Sequence, residues 1–267
     1  MMALVQPLLI NLAAIMAAML VLWQISVALK DVSFIDAVWA YGMVGLTLLT
    51  AVLMPGSPVG PHSQVLLLLV VVWGLRLGTH LLIRWRRLGR DPRYDRIVGG
   101  TVKARGWSFS KTSLIMVFAL QGPLLWTVSL PAQAGLLSDL GEPVGRLGAI
   151  GIALAVIGIG FESLGDLQLE AFRRDPAKHG KVLDTGLWRY TRHPNYFGDA
   201  CTWWGIWLVA IAGGAGLWTA VGPLFLTFTL VKWSGAALLE KGLKKSRPGY
   251  AEYIAKTSSF IPWPPKN

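Results

Sequence analysis

Cysteine and charged residues are both scarce in this chain. Cys201 is the only cysteine among 267 residues, which excludes an intramolecular disulfide, a thiolate metal cluster and a CxxC redox pair. The four histidines show no HExxH or paired spacing, so the sequence predicts no metal site. Only 15% of the residues are charged, against about 25% in soluble domains. With 54% hydrophobic residues and a mean hydropathy of +0.52, the composition favours lipid over water.

Acidic residues are fewer than basic ones, and the basic ones are concentrated in three bands. The 14 acidic and 25 basic residues give a formal charge of +11. Nine Lys and Arg fall in 84–111, six in 166–195 and six in 240–267. A nucleic-acid-binding protein would spread them over a soluble surface with interleaved aromatics, so the sequence predicts no nucleic-acid partner.

Long apolar segments lie between and around the basic bands. A hydrocarbon core of about 30 Å needs roughly 20 helical residues. Seven segments have about this length: 3–29, 34–54, 64–83, 112–130, 146–165, 197–213 and 216–239. They lack the alternation of barrel strands, so the predicted fold class is an all-α integral membrane protein, a bundle of seven transmembrane helices. Small residues at helical spacing, Gly148, Gly151 and Gly158, favour close helix packing.

The connections between these segments alternate in basic charge. Those at 55–63, 131–145 and 214–215 contain no Lys or Arg, whereas the three bands lie in the other connections and the tail. The positive-inside rule then predicts an N-terminus outside and a C-terminus in the cytosol. No Lys or Arg precedes the first apolar run, which favours a retained helix over a signal peptide. We expect one membrane domain over 1–267, multi-pass in a bacterial inner membrane or its equivalent.

Ionisable residues within or beside the spans lie toward the predicted cytosolic side. Each costs a few kcal/mol in lipid unless it is paired or hydrated. A pump or channel would place charged groups through the whole depth, which disfavours a transporter. The distribution indicates a polar pocket open to the cytosol with an apolar chamber behind it, although several groups could instead pair or snorkel for structural reasons. These residues are Asp36, Arg76, His80, Glu162, Asp199, Lys232 and Glu240.

One helix face leads from the fifth apolar segment into an unusual stretch of sequence. Glu162, Asp166, Glu170 and Arg173 follow at spacings of four, four and three, so they share a face of a helix that leaves the membrane. The segment GLWRYTRHPNYFGD follows at 186–199 and combines aromatic, basic and acidic groups. Its most distinctive residues are Arg192, His193, Pro194, Asn195, Tyr196, Gly198 and Asp199.

This segment resembles the signature of membrane reductases that act on steroids and sterols. They are the steroid 5α-reductase family, its bacterial DUF1295-like relatives and, more distantly, the sterol C14-reductases. The similarity is strongest over 160–262. A related RHPxYxG pattern occurs in isoprenylcysteine carboxyl methyltransferases, but Asn195 and Asp199, with Asp166 four residues after Glu162, favour the reductases.

The resemblance implies NADPH as cofactor, bound by 112–267, and a lipophilic substrate beside 1–111. The expected reaction is hydride transfer that reduces the C4–C5 double bond of a 3-oxo-4-ene steroid or a similar enone lipid. The alternative is S-adenosylmethionine-dependent methyl transfer to an isoprenylcysteine or another lipid. The bilayer and this lipid are the expected partners, with no obligate protein partner evident. From the resemblance and the phosphate-binding chemistry of basic side chains, the candidate cofactor-binding residues are Arg90, Arg93, Glu162, Asp166, Arg173, Lys181, Arg192, His193, Asn195, Tyr196, Asp199 and Glu240.

The family also implies a pair of catalytic groups. An acid on the second helix works with a tyrosine from the third to stabilise the enolate that forms on the substrate carbonyl. Asp36 is the only acid inside the second span and is the expected counterpart. The third span offers Arg76 and His80 in place of the tyrosine, and Tyr41 is a further candidate.

Overall fold

The structure is a computed structural model that describes residues 2–54, 59–233, 240, 242–244 and 247–266. Across these residues the chain is helical, and the only β feature is an isolated bridge between Thr191 and Ser258. The predicted all-α class is therefore confirmed. The principal helices are α1 (Met2–Leu29), α2 (Ile35–Leu53), α3 (Pro61–Leu88), α4 (Phe109–Val128), α5 (Leu130–Leu137), α6 (Arg146–Arg174), α7 (Pro194–Ala212), α8 (Leu217–Trp233) and α9 (Tyr250–Lys256).

Five of these helices are long and apolar enough to cross a membrane: α1 from Leu4 onward, α2, α3, α4 and α6. They identify the chain as a multi-pass membrane protein. The two other predicted spans correspond to α7, which has 19 residues, and to the shorter apolar α8. Residues 234–239 of the predicted seventh span lie outside the described residues.

The connection expected at 131–145 is partly helical instead. After Ser129 the chain continues as α5, whose residues are buried up to Leu136. The small residues of this helix explain the difference, because a Cβ on Gly135 would lie 2.5 Å from Leu66 and 2.9 Å from Ala210. The segment is therefore a packed element of the bundle and not a surface loop.

Glycines allow α6 and α7 to touch backbone to backbone. A Cβ on Gly158 would lie 2.5 Å from the nitrogen of Thr202, and one on Gly151 would lie 2.8 Å from the backbone of α7. On the partner helix, a Cβ on Gly198 would lie 2.4 Å from the nitrogen of Glu162. Small residues are the usual means of such close packing in membranes, where apolar burial gives little drive. The contact holds the Glu162 face of α6 directly against α7.

The core lies between α2, α3, α4, α5 and α7, whereas α1 is peripheral. Ile35, Phe118 and Trp203 are fully buried, and Trp73 of α3 packs edge-to-face on Trp203 with ring centroids 5.2 Å apart. Only 17% of the most apolar window of α1 is buried inside the protein. The outer face of α1 is therefore available to lipid.

A buried polar network attaches α1 to the bundle. Asn11 Nδ2 donates to Thr50 Oγ1 at 2.6 Å and to Gln133 Oε1 at 2.8 Å. Gln133 Nε2 in turn donates to Ser129 Oγ at 2.7 Å. Interhelical hydrogen bonds of this kind are worth about 0.6 to 2 kcal/mol each in lipid, so the network fixes the register of α1 against α2 and α5.

Candidate active site

Arg76 of α3 lies between two carboxylates of α6. Its Nη2 is 2.5 Å from Glu162 Oε2, and its Nη1 is 2.7 Å from Asp166 Oδ2. Trp73, one turn earlier on α3, donates from Nε1 to Glu162 Oε2 at 3.0 Å. Glu162 is only 3% exposed, so these two donors replace the water that its carboxylate loses. The four-residue spacing of the two acids presents both to one guanidinium.

Two polar side chains of α7 complete this group. Asn195 Nδ2 donates to Asp166 Oδ1 at 3.2 Å. Asp199, one turn later, interacts electrostatically with both Glu162 and Arg76, and its Oδ1 is buried without a hydrogen-bond partner among the described residues. Three carboxylates therefore share one guanidinium, which leaves acceptor capacity for a proton or for a ligand that donates hydrogen bonds. We call this group the Arg76 cluster: Arg76, Glu162, Asp166, Asn195 and Asp199.

A second polar group surrounds Asp36, at the start of α2. Tyr94 Oη donates to Asp36 Oδ1 at 2.8 Å, and Arg93 Nη2 donates to Asp36 Oδ2 at 2.6 Å. Arg84 of α3 reaches the same Oδ2 at 3.4 Å. Asp91 accepts from Arg93 at 2.8 Å and so shares this cation. We call this group the Asp36 cluster: Asp36, Arg84, Asp91, Arg93 and Tyr94.

A short turn after α3 brings Tyr94 to Asp36. Asp91 caps this turn by accepting from the nitrogen of Arg93 at 2.9 Å, and Pro92 occupies its first position. The nitrogen of Asp91 donates to Ser33 Oγ at 2.8 Å, which ties the turn to the loop before α2. Burial acts to raise the pKa of Asp91, but the hydrogen bond and charge of Arg93 lower it below its usual value. The cap therefore stays ionised.

The protonation of Tyr94 follows from its surroundings. Burial raises the pKa of this phenol well above its usual value, and the neighbouring Asp36 carboxylate raises it further. The phenol therefore remains protonated at neutral pH and acts as a hydrogen-bond donor. A partly buried tyrosine paired with a carboxylate is an arrangement that can deliver a proton to an oxygen atom bound beside it.

Tyr196 lies near both clusters. Burial raises the pKa of its phenol, and the charges of Arg93, Asp36 and Asp166 also act on it. Its ring stacks on His193, with centroids 5.3 Å apart and planes 6° from parallel. The start of α7 is therefore close to both polar groups.

Three arginines lie near Tyr196. Arg173 forms no hydrogen bond or ion pair among the described residues, although the charge of Glu170 acts on it, and Arg84 and Arg247 add positive charge around it. Arg84 also reaches Asp36, and Arg247 is held in place by donating from Nη1 to the carbonyl of Lys181. Guanidinium groups that converge in this way are suited to phosphate, which they bind with paired donors.

The RHPNY turn is fixed by the C-terminal segment. Arg192 Nε donates to Glu240 Oε1 at 2.7 Å, and its Nη1 donates to the carbonyls of Ile254 and Thr257. His193 Nε2 lies 3.0 Å from the same Glu240 oxygen. Although burial opposes it, hydrogen bonds from His193 and Arg192 lower the pKa of Glu240 to about 2. Since protein acceptors occupy its Nε, Nη1 and Nη2, Arg192 is placed to anchor the turn rather than to bind a phosphate.

The other predicted residues lie around these groups. His80 Nε2 is 3.9 Å from Asp166 Oδ2, at the edge of the Arg76 cluster. Tyr41 bonds to Thr79 Oγ1 at 3.0 Å and makes no bond to Asp36. Arg90 and Lys181 are exposed.

Sequence reasoning missed five residues of these groups: Trp73, Arg84, Asp91, Tyr94 and Arg247. One signal could have indicated Tyr94, because Asp91 and Pro92 predict a turn immediately before it, at the end of the long third helix. Nothing in the local sequence distinguishes the two arginines from the rest of the basic bands.

Comparison with known proteins gives one match. No curated protein and no solved structure matches the chain. A family model described as protein of unknown function, DUF1295, matches residues 22–257. That range includes both clusters and the RHPNY turn. The chain therefore belongs to the DUF1295 family, membrane proteins related to the steroid 5α-reductases.

Proposed function

We propose that this protein is an NADPH-dependent reductase of the carbon–carbon double bond in a 3-oxo-4-ene steroid or a similar enone lipid. The observation that carries the proposal is the partly buried hydrogen bond from Tyr94 to Asp36. It supplies a protonated donor beside a carboxylate, at the boundary between the polar site and the apolar bundle. Kinship with the steroid 5α-reductases supports the same reaction class.

The reaction needs charge stabilisation at the substrate oxygen. When bound, NADPH would supply the hydride for the β-carbon of the enone, whose electrons move to the carbonyl oxygen and leave an enolate. Tyr94 is the group that we assign to donate to this oxygen. On substrate binding the phenol hydrogen would turn from the Asp36 carboxylate to the substrate oxygen, while Arg93 stays paired with Asp36. The α-carbon takes its proton from water, which balances the reduction.

The residues present fit NADPH. Arg84, Arg173 and Arg247 provide converging positive charge, and Arg173 forms no ion pair among the described residues, which leaves its guanidinium available to a phosphate. Asp199 Oδ1 is a buried acceptor without a partner among the described residues, and it suits an amide or hydroxyl donor of the cofactor. Asn195 would orient that end of the molecule from the same face of α7.

The topology that we propose has seven spans, with α7 and α8 completing the five longer helices. The N-terminus lies outside, and the three basic bands face the cytosol. The absence of Lys and Arg from 55–63, 131–145 and 214–215 supports this orientation. The polar site would then open to the cytosolic pool of NADPH.

The first test is turnover by the purified protein in detergent. We expect it to oxidise NADPH only when an enone such as 4-androstene-3,17-dione is present. Tyr94→Phe should lower turnover by about 100- to 10,000-fold, the usual worth of a positioned proton donor, while leaving NADPH affinity unchanged. Asp36→Asn should behave similarly.

The matched test concerns the cofactor. Asn195→Ala and Asp199→Ala should weaken NADPH binding, measured by titration without substrate. Saturable binding of S-adenosylmethionine with no binding of NADPH would contradict the proposal and would identify a methyltransferase. Full activity of Tyr94→Phe would disprove only the role assigned to this phenol and would leave the proposed reaction standing.

A further inference from the structure

An open groove of about 650 Å³ lies at the end of α1, outside the Arg76 cluster and beside Tyr94 of the Asp36 cluster. It runs between this helix end and residues 94–110, which lead from the turn after α3 into α4. Val27, Val98, Val102 and Phe109 form an apolar part of its lining. Because most of α1 faces outward, the groove opens at the edge of the bundle, where lipid surrounds the protein.

Three cations line the same groove: Lys30, Arg90 and Lys103. All three are exposed, and neither lysine forms an ion pair among the described residues. Two carboxylates also line the groove, Asp31 and Asp95. The oxygens of Asp31 already accept from Trp85 Nε1 at 2.9 Å and from the nitrogen of Ser33 at 2.8 Å. With three cations and two carboxylates, the lining carries one excess positive charge.

The backbone at Lys30 determines where its side chain lies. Lys30 follows the last residue of α1 with φ of 50°, in the left-handed region where glycine is favoured. It is the only described residue other than glycine with a positive φ. The nitrogen of Asp31 donates to the carbonyl of Ser26 at 3.1 Å, which closes the end of α1 in this conformation. The helix end places the ammonium group of Lys30 on the groove.

We propose that this groove binds the headgroup of an anionic phospholipid from the leaflet that faces this end of the bundle. The phosphate would lie among Lys30, Arg90 and Lys103, and the upper part of the acyl chains along Val27 and Val102. Basic pockets beside membrane helices bind anionic lipids through this combination of charge and apolar contact. The proposal depends on the membrane location of the chain and not on the reductase reaction.

The groove also touches the proposed catalytic turn. Tyr94 lines it on the inner side, and the phenol of the same residue bonds to Asp36. A lipid in the groove would therefore pack against the turn that positions the donor.

The experiment is a lipid titration of the purified protein, followed by native mass spectrometry. We expect 1-palmitoyl-2-oleoyl-phosphatidylglycerol to bind more tightly than the corresponding phosphatidylcholine. Each lysine near a membrane surface changes affinity about fivefold, so Lys30→Gln/Lys103→Gln should weaken phosphatidylglycerol binding about 25-fold. The control Lys178→Gln/Lys256→Gln removes the same charge from exposed positions outside the groove and should bind like the unmodified protein.

Three results would overturn the proposal. They are equal affinity for the two lipids, an equal loss in the control variant, and displacement of phosphatidylglycerol by NADPH or by inorganic phosphate at matched concentration. Val102→Trp fills the groove without changing charge, and it should also abolish the preference for phosphatidylglycerol. Normal lipid binding by this variant would place the lipid elsewhere. Since NADPH turnover is not the readout, failure here is separate from failure of the reductase proposal.

Discussion

The Arg76 cluster and the Asp36 cluster are built in opposite ways. Three carboxylates share one guanidinium in the Arg76 cluster, and all its members stand on three long helices. In the Asp36 cluster two guanidiniums and a phenol converge on Asp36, and three members come from a short turn after α3. Under the proposed reductase function, the acid-rich Arg76 cluster would bind the cofactor and the turn of the Asp36 cluster would carry the proton donor. Changes in one cluster should therefore affect a different measurement from changes in the other.

Removal of the shared cation should have the largest effect. Arg76→Leu leaves Glu162, Asp166 and Asp199 without their guanidinium, and an uncompensated buried charge costs about 3 to 5 kcal/mol. Arg84→Leu is the matched variant in the other cluster, where Arg93 still neutralises Asp36, and it should cost far less. Unfolding in mixed detergent micelles measures both. Equal loss in the two variants would remove the distinction between the clusters.

The second prediction tests the helix contact beneath the Arg76 cluster. Gly198→Ala places a methyl group 2.4 Å from the nitrogen of Glu162, so we expect a loss of about 1 to 3 kcal/mol and weaker NADPH binding. Gly160→Ala, also on this helix pair, is the control. A Cβ at Gly160 would meet no heavy atom within 4 Å. Thermal unfolding and NADPH titration report the difference. If Gly198→Ala unfolds and binds NADPH like the unmodified protein, α6 and α7 can move apart without cost.

The third prediction concerns pH and the segment that fixes the RHPNY turn. The pKa of Glu240 is lowered to about 2, so its ion pairs stabilise the fold above the unfolded value near 4.3. This stability, about 1 to 2 kcal/mol after screening, should be lost as pH falls from about 5 to 2. Glu240→Gln should remove the pH dependence of unfolding between about pH 5 and pH 2. Outside this range the shape of the pH profile should not change.

The smallest effect is expected at Tyr41. Its hydroxyl bonds to Thr79 on an exposed surface, so Tyr41→Phe should cost less than about 0.5 kcal/mol and leave turnover unchanged. Comparison with Tyr94→Phe in the same NADPH oxidation assay distinguishes the two candidate donors. A loss confined to Tyr41→Phe would reverse the assignment.

Much of the fold and of the Arg76 cluster could be predicted because local periodicity determines them. Hydropathy located the five longest helices, and the spacing of Glu162 and Asp166 placed both acids on one face. Helical geometry alone carries this information, since neighbours three and four residues apart share a face. The predicted close packing at Gly151 and Gly158 is also confirmed.

The Asp36 cluster could not be predicted in the same way. Tyr94 meets Asp36 across 58 residues, and its turn depends on Ser33, also 58 residues from Asp91. Contacts between residues so far apart in the sequence depend on how the loop packs, and no periodic pattern in the sequence indicates them. Arg192 shows the same limit, because its sequence context favours phosphate binding whereas the structure surrounds it with Glu240 and the carbonyls of the C-terminal segment.

The long separation of these contacts has a consequence for biosynthesis. Arg192 and the carbonyl of Thr257 that it binds are 65 residues apart, so all five long helices are synthesised before the turn obtains its full set of acceptors. Until then a guanidinium at the membrane boundary has few partners. A chain that ends within that interval would therefore keep an incompletely satisfied cation beside α7.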